Sequence, residues 1–152
     1  MVLKPEVLIY NLTSQRIPSK NFFCDTIEKA LGVLKERKKI VLSLIFIDSQ
    51  NIRRLNNYWR SKNKPTSVLS FSFRKILLTK SEKKAEILGD IFLCPEEIKK
   101  QVEKFDVSLR FFYQKLVVHS LLHLYGDTHS REKNRQKMEN LEDKILRKIN
   151  KQ

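Results

Sequence analysis

The chain has 152 residues, 41% of them hydrophobic and 32% charged, the size and balance of one globular domain that buries roughly 70% of the surface its unfolded chain exposes. Its 31 Lys and Arg against 17 Asp and Glu leave a net charge of +14, which biases encounters towards polyanions because each phosphate neutralised releases condensed counterions. Two isolated cysteines, Cys24 and Cys94, exclude a disulfide framework and a cysteine-type zinc site and read as buried thiols in a reducing compartment. The absence of a basic segment leading into a long apolar run argues against secretion and against a membrane span.

Glu6 to Leu12 reads as a strand, and Ser19 caps a helix with apolar residues at Phe23, Ile27, Leu31 and Leu34. Lys39 to Ile47 is a second, buried strand, and Asp48 and Ser49 begin a short helix through Ile52, Leu55 and Trp59. After a polar loop at Arg60 to Thr66, Ser67 to Phe73 alternates with period two as a third strand. Arg74 to Glu86 is charged and aperiodic and reads as a mobile loop, with a fourth strand resuming at Ile87 to Leu93. Pro95 starts a helix reaching about Phe105, and Ser108 caps a longer helix that Gly126 closes. Ser130 caps a last amphipathic helix carrying Met138, Leu141, Ile145 and Ile149. Phe22, Phe23, Phe105, Phe111 and Phe112 read as core residues. Residues 1–152 thus form a single domain of four strands and five helices.

The chemistry concentrates in His119-Ser-Leu-Leu-His123-Leu-Tyr-Gly-Asp-Thr-His129, which holds all three histidines of the chain. Spacing of four on a helix puts His119 and His123 on one face, one turn apart. Gly126 ends the helix and turns the chain back, which can bring His129 to the same point as a third ligand. Three neutral nitrogens suit zinc and leave a fourth position for water, whose pKa zinc lowers to about 7. A closed structural site would need a fourth ligand, for which Asp127 is the local substitute. The bland alternative is that one or two of these histidines are satisfied core residues. Where His-Glu-x-x-His metalloproteases carry their general base, this chain has Ser120, which cannot take a proton at neutral pH.

Three segments resemble the YbeY family of rRNA maturation factors, proposed single-strand-specific endoribonucleases. Leu55-Asn56, Tyr58-Trp59-Arg60 and Lys62 to Phe71 (Lys-Asn-Lys-Pro-Thr-Ser-Val-Leu-Ser-Phe) form the first; Leu88-Gly89-Asp90-Ile91 forms the second; His119 to His129 forms the third, and Met138 and Glu139 resemble a further feature. Departures are Ser120 in place of glycine, Ser67 where relatives often carry Asp, and Gly126-Asp127-Thr128-His129 in place of Gly-Tyr-Asp-His. They touch the surroundings of the metal ligands and leave the ligand spacing intact.

The resemblance implies an α+β domain with a mixed four-stranded sheet packed by about five helices, and one Zn2+ per chain on His119, His123 and His129 in a basic cleft. It implies hydrolysis of RNA phosphodiesters in rRNA end maturation and ribosome quality control, with RNA and the small ribosomal subunit as partners, no DNA or membrane partner, and a bacterial cytoplasmic location. Arg60 matches the family's functional arginine, whose planar fork contacts two phosphate oxygens. Asp90 and Asp127 are weaker candidates for orienting a ligand histidine. Tyr58 and Trp59 could stack on unpaired bases, although a buried core position is the commoner fate of a helix-end Trp such as Trp59. The rival reading is a noncatalytic RNA-binding assembly factor with structural zinc.

Overall fold

A computed structural model describes residues 3–78, 84–126 and 132–151, the side chains of 74–78, 84 and 132–134 excepted. The elements are β1 (Glu6–Asn11), α1 (Lys20–Val33), β2 (Lys39–Phe46), α2 (Ser49–Arg60), β3 (Val68–Leu78), β4 (Lys84–Leu93), α3 (Pro95–Phe105), α4 (Leu109–Leu124) and α5 (Glu132–Asn150). Three helices begin where the sequence supplies a cap. The Ser19, Asp48 and Ser108 side chains accept hydrogen bonds from the N–H groups of Phe22, Asn51 and Phe111, each cap worth about 1 kcal/mol. Pro95 occupies the first turn of α3, where a missing N–H costs nothing.

The strands form one mixed sheet in the order β1-β2-β4-β3. β1 and β4 both run parallel to β2, and β3 pairs antiparallel with β4, so β3 is an edge. Alternation along β2 sends Ile40, Leu42, Leu44 and Phe46 into the main core, where they meet Phe23, Ile27 and Leu31 of α1, Val117 and Leu121 of α4, and Ile145 of α5. Each such side chain contributes about 1.5–3 kcal/mol by leaving water. α2 covers part of the opposite face through a smaller cluster of Ile47, Ile52, Leu69 and Cys94, with Leu55, Phe71 and Phe92 packed against it.

The charged stretch from Arg74 to Glu86, expected as a loop, is largely strand. β3 continues to Leu78 and β4 begins at Lys84, with Ile76 opposite Glu86 and Leu77 opposite Ala85. Backbone pairing does not require apolar side chains, and an edge strand tolerates lysine and arginine. Two expected core phenylalanines are also on the surface. Phe105 closes α3 and is 58% exposed, with the Lys104 ammonium 5.5 Å from its ring. Phe111 lies roughly 200° around α4 from buried Tyr113 and is an exposed residue. Phe22 and Phe23 are buried and Phe112 packs against the core, as expected. Cys94 is buried and Cys24 half-buried, both as free thiols. The expected cap Ser130 lies outside the described residues, but Met138, Ile145 and Ile149 of α5 are buried.

Candidate metal centre and catalytic cavity

α4 presents His119 and His123 from successive turns, and their Nε2 atoms stand 2.9 Å apart, with the rings crossed at 73°. Two nitrogens at about 2.0–2.1 Å from a tetrahedral zinc lie roughly 3.3 Å apart. Opening the observed pair by a few tenths of an ångström would therefore admit the ion, and the donor set fits zinc. The helix ends just beyond, where Gly126 adopts φ +88° and donates its N–H to the His123 carbonyl at 2.9 Å. Space for a side chain exists at Gly126; its positive φ is what calls for glycine.

The partner that sequence reading missed is Glu142. Its Oε2 lies 2.9 Å from His119 Nδ1, and it is only 7% exposed. With Nδ1–H donated to this carboxylate, the His119 tautomer leaves Nε2 unprotonated and turned towards His123, the usual way a carboxylate orients a metal-binding imidazole. The signal was present in the helical period: Glu142 follows Met138 by four and precedes Ile145 by three, a charged residue in an apolar stripe. A buried carboxylate needs a partner.

Both imidazoles line a cavity of about 390 Å³ with Trp59 and Arg60 from the end of α2, Leu69 to Ser72 from edge strand β3, and Ser120 and Leu124 from α4. Ser72 Oγ donates to the Leu124 carbonyl at 2.8 Å, which ties the last turn of α4 to the strand. Gly89 of β4 makes the approach possible: a Cβ there would stand 2.0 Å from the Phe71 carbonyl oxygen and 3.1 Å from a Leu124 methyl. α2 stops at Arg60 because Ser61 takes a left-handed conformation. Arg60 is exposed, so the cavity joins a histidine pair to an arginine delivered by a different element.

Trp59 departs from the expected core position and is 62% exposed, and Tyr58 is 78% exposed. Asp90 is not in the cavity wall. Burial pushes its carboxyl above the ordinary aspartate range, with a Ser43 hydrogen bond opposing. His129 and Asp127 lie outside the described residues. Among the described residues no group of three His, Cys, Asp or Glu side chains is gathered for a metal; the site there consists of the His119 and His123 pair with Glu142 behind His119.

The chain matches the family model described as Endoribonuclease YbeY over residues 9–150. It is similar to proteins named Endoribonuclease YbeY in Phytoplasma australiense, at 36% identity over 95% of this chain and 96% of the relative. In Buchnera aphidicola the corresponding figures are 34%, 90% and 84%. The solution structure of TM1509 from Thermotoga maritima superposes with a TM-score of 0.62 at 22% identity, covering 94% of this chain and 88% of that one; it has the same fold. No helix among the described residues is long and apolar enough to cross a membrane.

Proposed function

This chain belongs to the YbeY endoribonuclease family, and on that premise we propose that it cuts single-stranded RNA at a centre of one zinc ion held by His119, His123 and His129, in the maturation of rRNA ends on the small ribosomal subunit. Membership makes it a hydrolase acting on RNA. The observation that carries the finer reading is convergence: two Nε2 atoms 2.9 Å apart in the wall of a cavity that Arg60 also lines. The relatives are bacterial, which supports a bacterial cytoplasm as the location.

When bound, zinc supplies Lewis acidity towards a phosphoryl oxygen and towards water. His119 and His123 serve as ligands in their neutral form, and Glu142 holds the Nδ1 proton of His119 so that Nε2 keeps its lone pair. Arg60 offers paired N–H donors to two phosphate oxygens and offsets the charge that builds there as the phosphodiester is cut. Ser120 is buried and replaces the glutamate that peptide hydrolysis would use as its base.

The test pairs metal analysis with cleavage of a single-stranded rRNA fragment by chelated, zinc-reconstituted and substituted protein. One zinc per chain is expected, with cleavage lost on chelation and restored by zinc. His119→Ala should lose metal and cleavage together, whereas Arg60→Ala should lose about 10²–10³-fold in cleavage with zinc content unchanged. Undiminished cleavage by a zinc-free His119→Ala protein would overturn the reading.

A further inference from the structure

We propose that Trp59, backed by Phe71, is a stacking subsite for one unpaired nucleobase of the RNA, adjoining the phosphate bound at Arg60; the inference rests on the RNA-cleaving reading above. Trp59 follows Ile52 by seven residues and Leu55 by four, so it projects from the same face of α2 that Ile52, fully buried, anchors to the sheet. That face should be covered. It is covered as far as Leu55, but Trp59, one turn on, is left largely exposed and lines the cavity beside edge strand β3.

The ring is held in place nonetheless. It meets Phe71 edge-on at 5.8 Å between centroids and Tyr58 at 5.0 Å, and Phe71 in turn rests on Phe92 at 5.7 Å. A large aromatic surface, packed at its edge and 62% exposed, thus lies in the same cavity as Arg60 and the two imidazoles.

The surroundings select the occupant. The rest of the wall mixes Val68, Leu69 and Leu124 with Ser70, the two imidazoles and the exposed Arg60 guanidinium, and on a chain of net charge +14 that combination suits an aromatic base with a phosphate at its side. Every base has a π-face, so such a platform holds any unpaired nucleotide and discriminates little between bases. A base inside a duplex has both faces occupied by its neighbours and cannot use it. The subsite therefore supplies a physical cause for preferring single strands.

The protein reports on this site directly, since Trp59 is its one tryptophan. The full chain is titrated with a cleavage-resistant 2′-O-methyl oligouridylate, a strand of equal length carrying abasic positions, and the duplex form of the first. Tryptophan emission should be quenched by the first strand and not by the other two. In cleavage kinetics on single-stranded RNA, Trp59→Ala should raise KM by about 5- to 150-fold with kcat within about twofold, and Trp59→Phe should recover most of the loss. Both variants should remain folded, with the far-UV circular dichroism of the parent, and Trp59→Phe should melt as the parent does.

Equal quenching by the abasic strand or the duplex, or an unchanged KM for Trp59→Ala, would overturn the subsite while leaving the nuclease reading standing. A protein that cleaves no RNA would remove the nuclease reading, and the fluorescence titration would still decide the subsite. Quenching by proteins of the small subunit with none by the oligouridylate would assign the platform to a protein partner and overturn the inference.

Discussion

At the scale of single residues, the proposed site has a buried carboxylate behind its first histidine. Glu142 meets His119 through a 2.9 Å contact to Nδ1. Glu142→Ala should weaken zinc binding about 10- to 100-fold, read as competition with a chelator of known affinity. Glu142→Gln can still accept from Nδ1–H through its amide oxygen and should recover part of that loss. Equal zinc affinity in all three proteins would mean that the contact merely fills space. Arg60 admits a similarly graded test. Arg60→Lys keeps the charge but loses the fork, so it should cleave more slowly than the parent and faster than Arg60→Ala at equal zinc content.

At the scale of elements, the cavity exists because α4 approaches β3 closely, and Gly89 sits at the point of contact. Gly89→Ala combines φ +150° with a Cβ 2.0 Å from the Phe71 carbonyl oxygen. It should destabilise the fold by about 2–5 kcal/mol, a drop in Tm of about 5–15 °C. The C-terminal end of α4 has a second tie: Tyr125 donates to Glu36 at 2.7 Å, beyond the end of α1. Burial alone would raise the Glu36 carboxyl, but hydrogen bonds from the Lys38 backbone N–H and the Tyr125 hydroxyl, with the Lys38 charge, outweigh it and hold Glu36 below the ordinary glutamate range. A carboxyl lowered on folding stabilises above its unfolded value of 4.5, and that contribution is lost as pH falls through the folded value. Tyr125→Phe should therefore lose stability near neutrality and show a shallower fall below about pH 4.5 in acid denaturation.

At the scale of the molecule, the net charge of +14 and the position of the cavity at a sheet edge act together. Affinity for single-stranded RNA should fall linearly with salt on logarithmic axes, by about 0.7 per phosphate neutralised. Arg60→Ala should flatten the slope by about one such unit. An affinity indifferent to salt would show that the positive surface is only solvated. The mixed sheet matters here because its antiparallel edge strand β3 leaves room for the end of α2 to bring Trp59 and Arg60 round to the histidines, both sets lining one cavity.

Much of this was legible in one dimension, because its causes are local. Caps at Ser19, Asp48 and Ser108, the period of α4 and the proline of α3 depend on neighbours within a turn, and so does the pairing of His119 with His123. The positive φ of Gly126 belongs to the same class. The strand content of Arg74 to Glu86 was hidden because strand pairing is a property of two backbones and leaves no mark on charged side chains. The exposure of Trp59 and the burial of Glu142 were likewise set by what lies opposite them: the ring edge of Phe71 on edge strand β3 in one case, His119 in the other. The amino-acid order alone determined which residues could bind metal and phosphate. Which of them share a cavity, and which carboxylate orients the first histidine, was decided by contacts between residues far apart in the chain, such as His119 with Glu142 and Ser72 with Leu124.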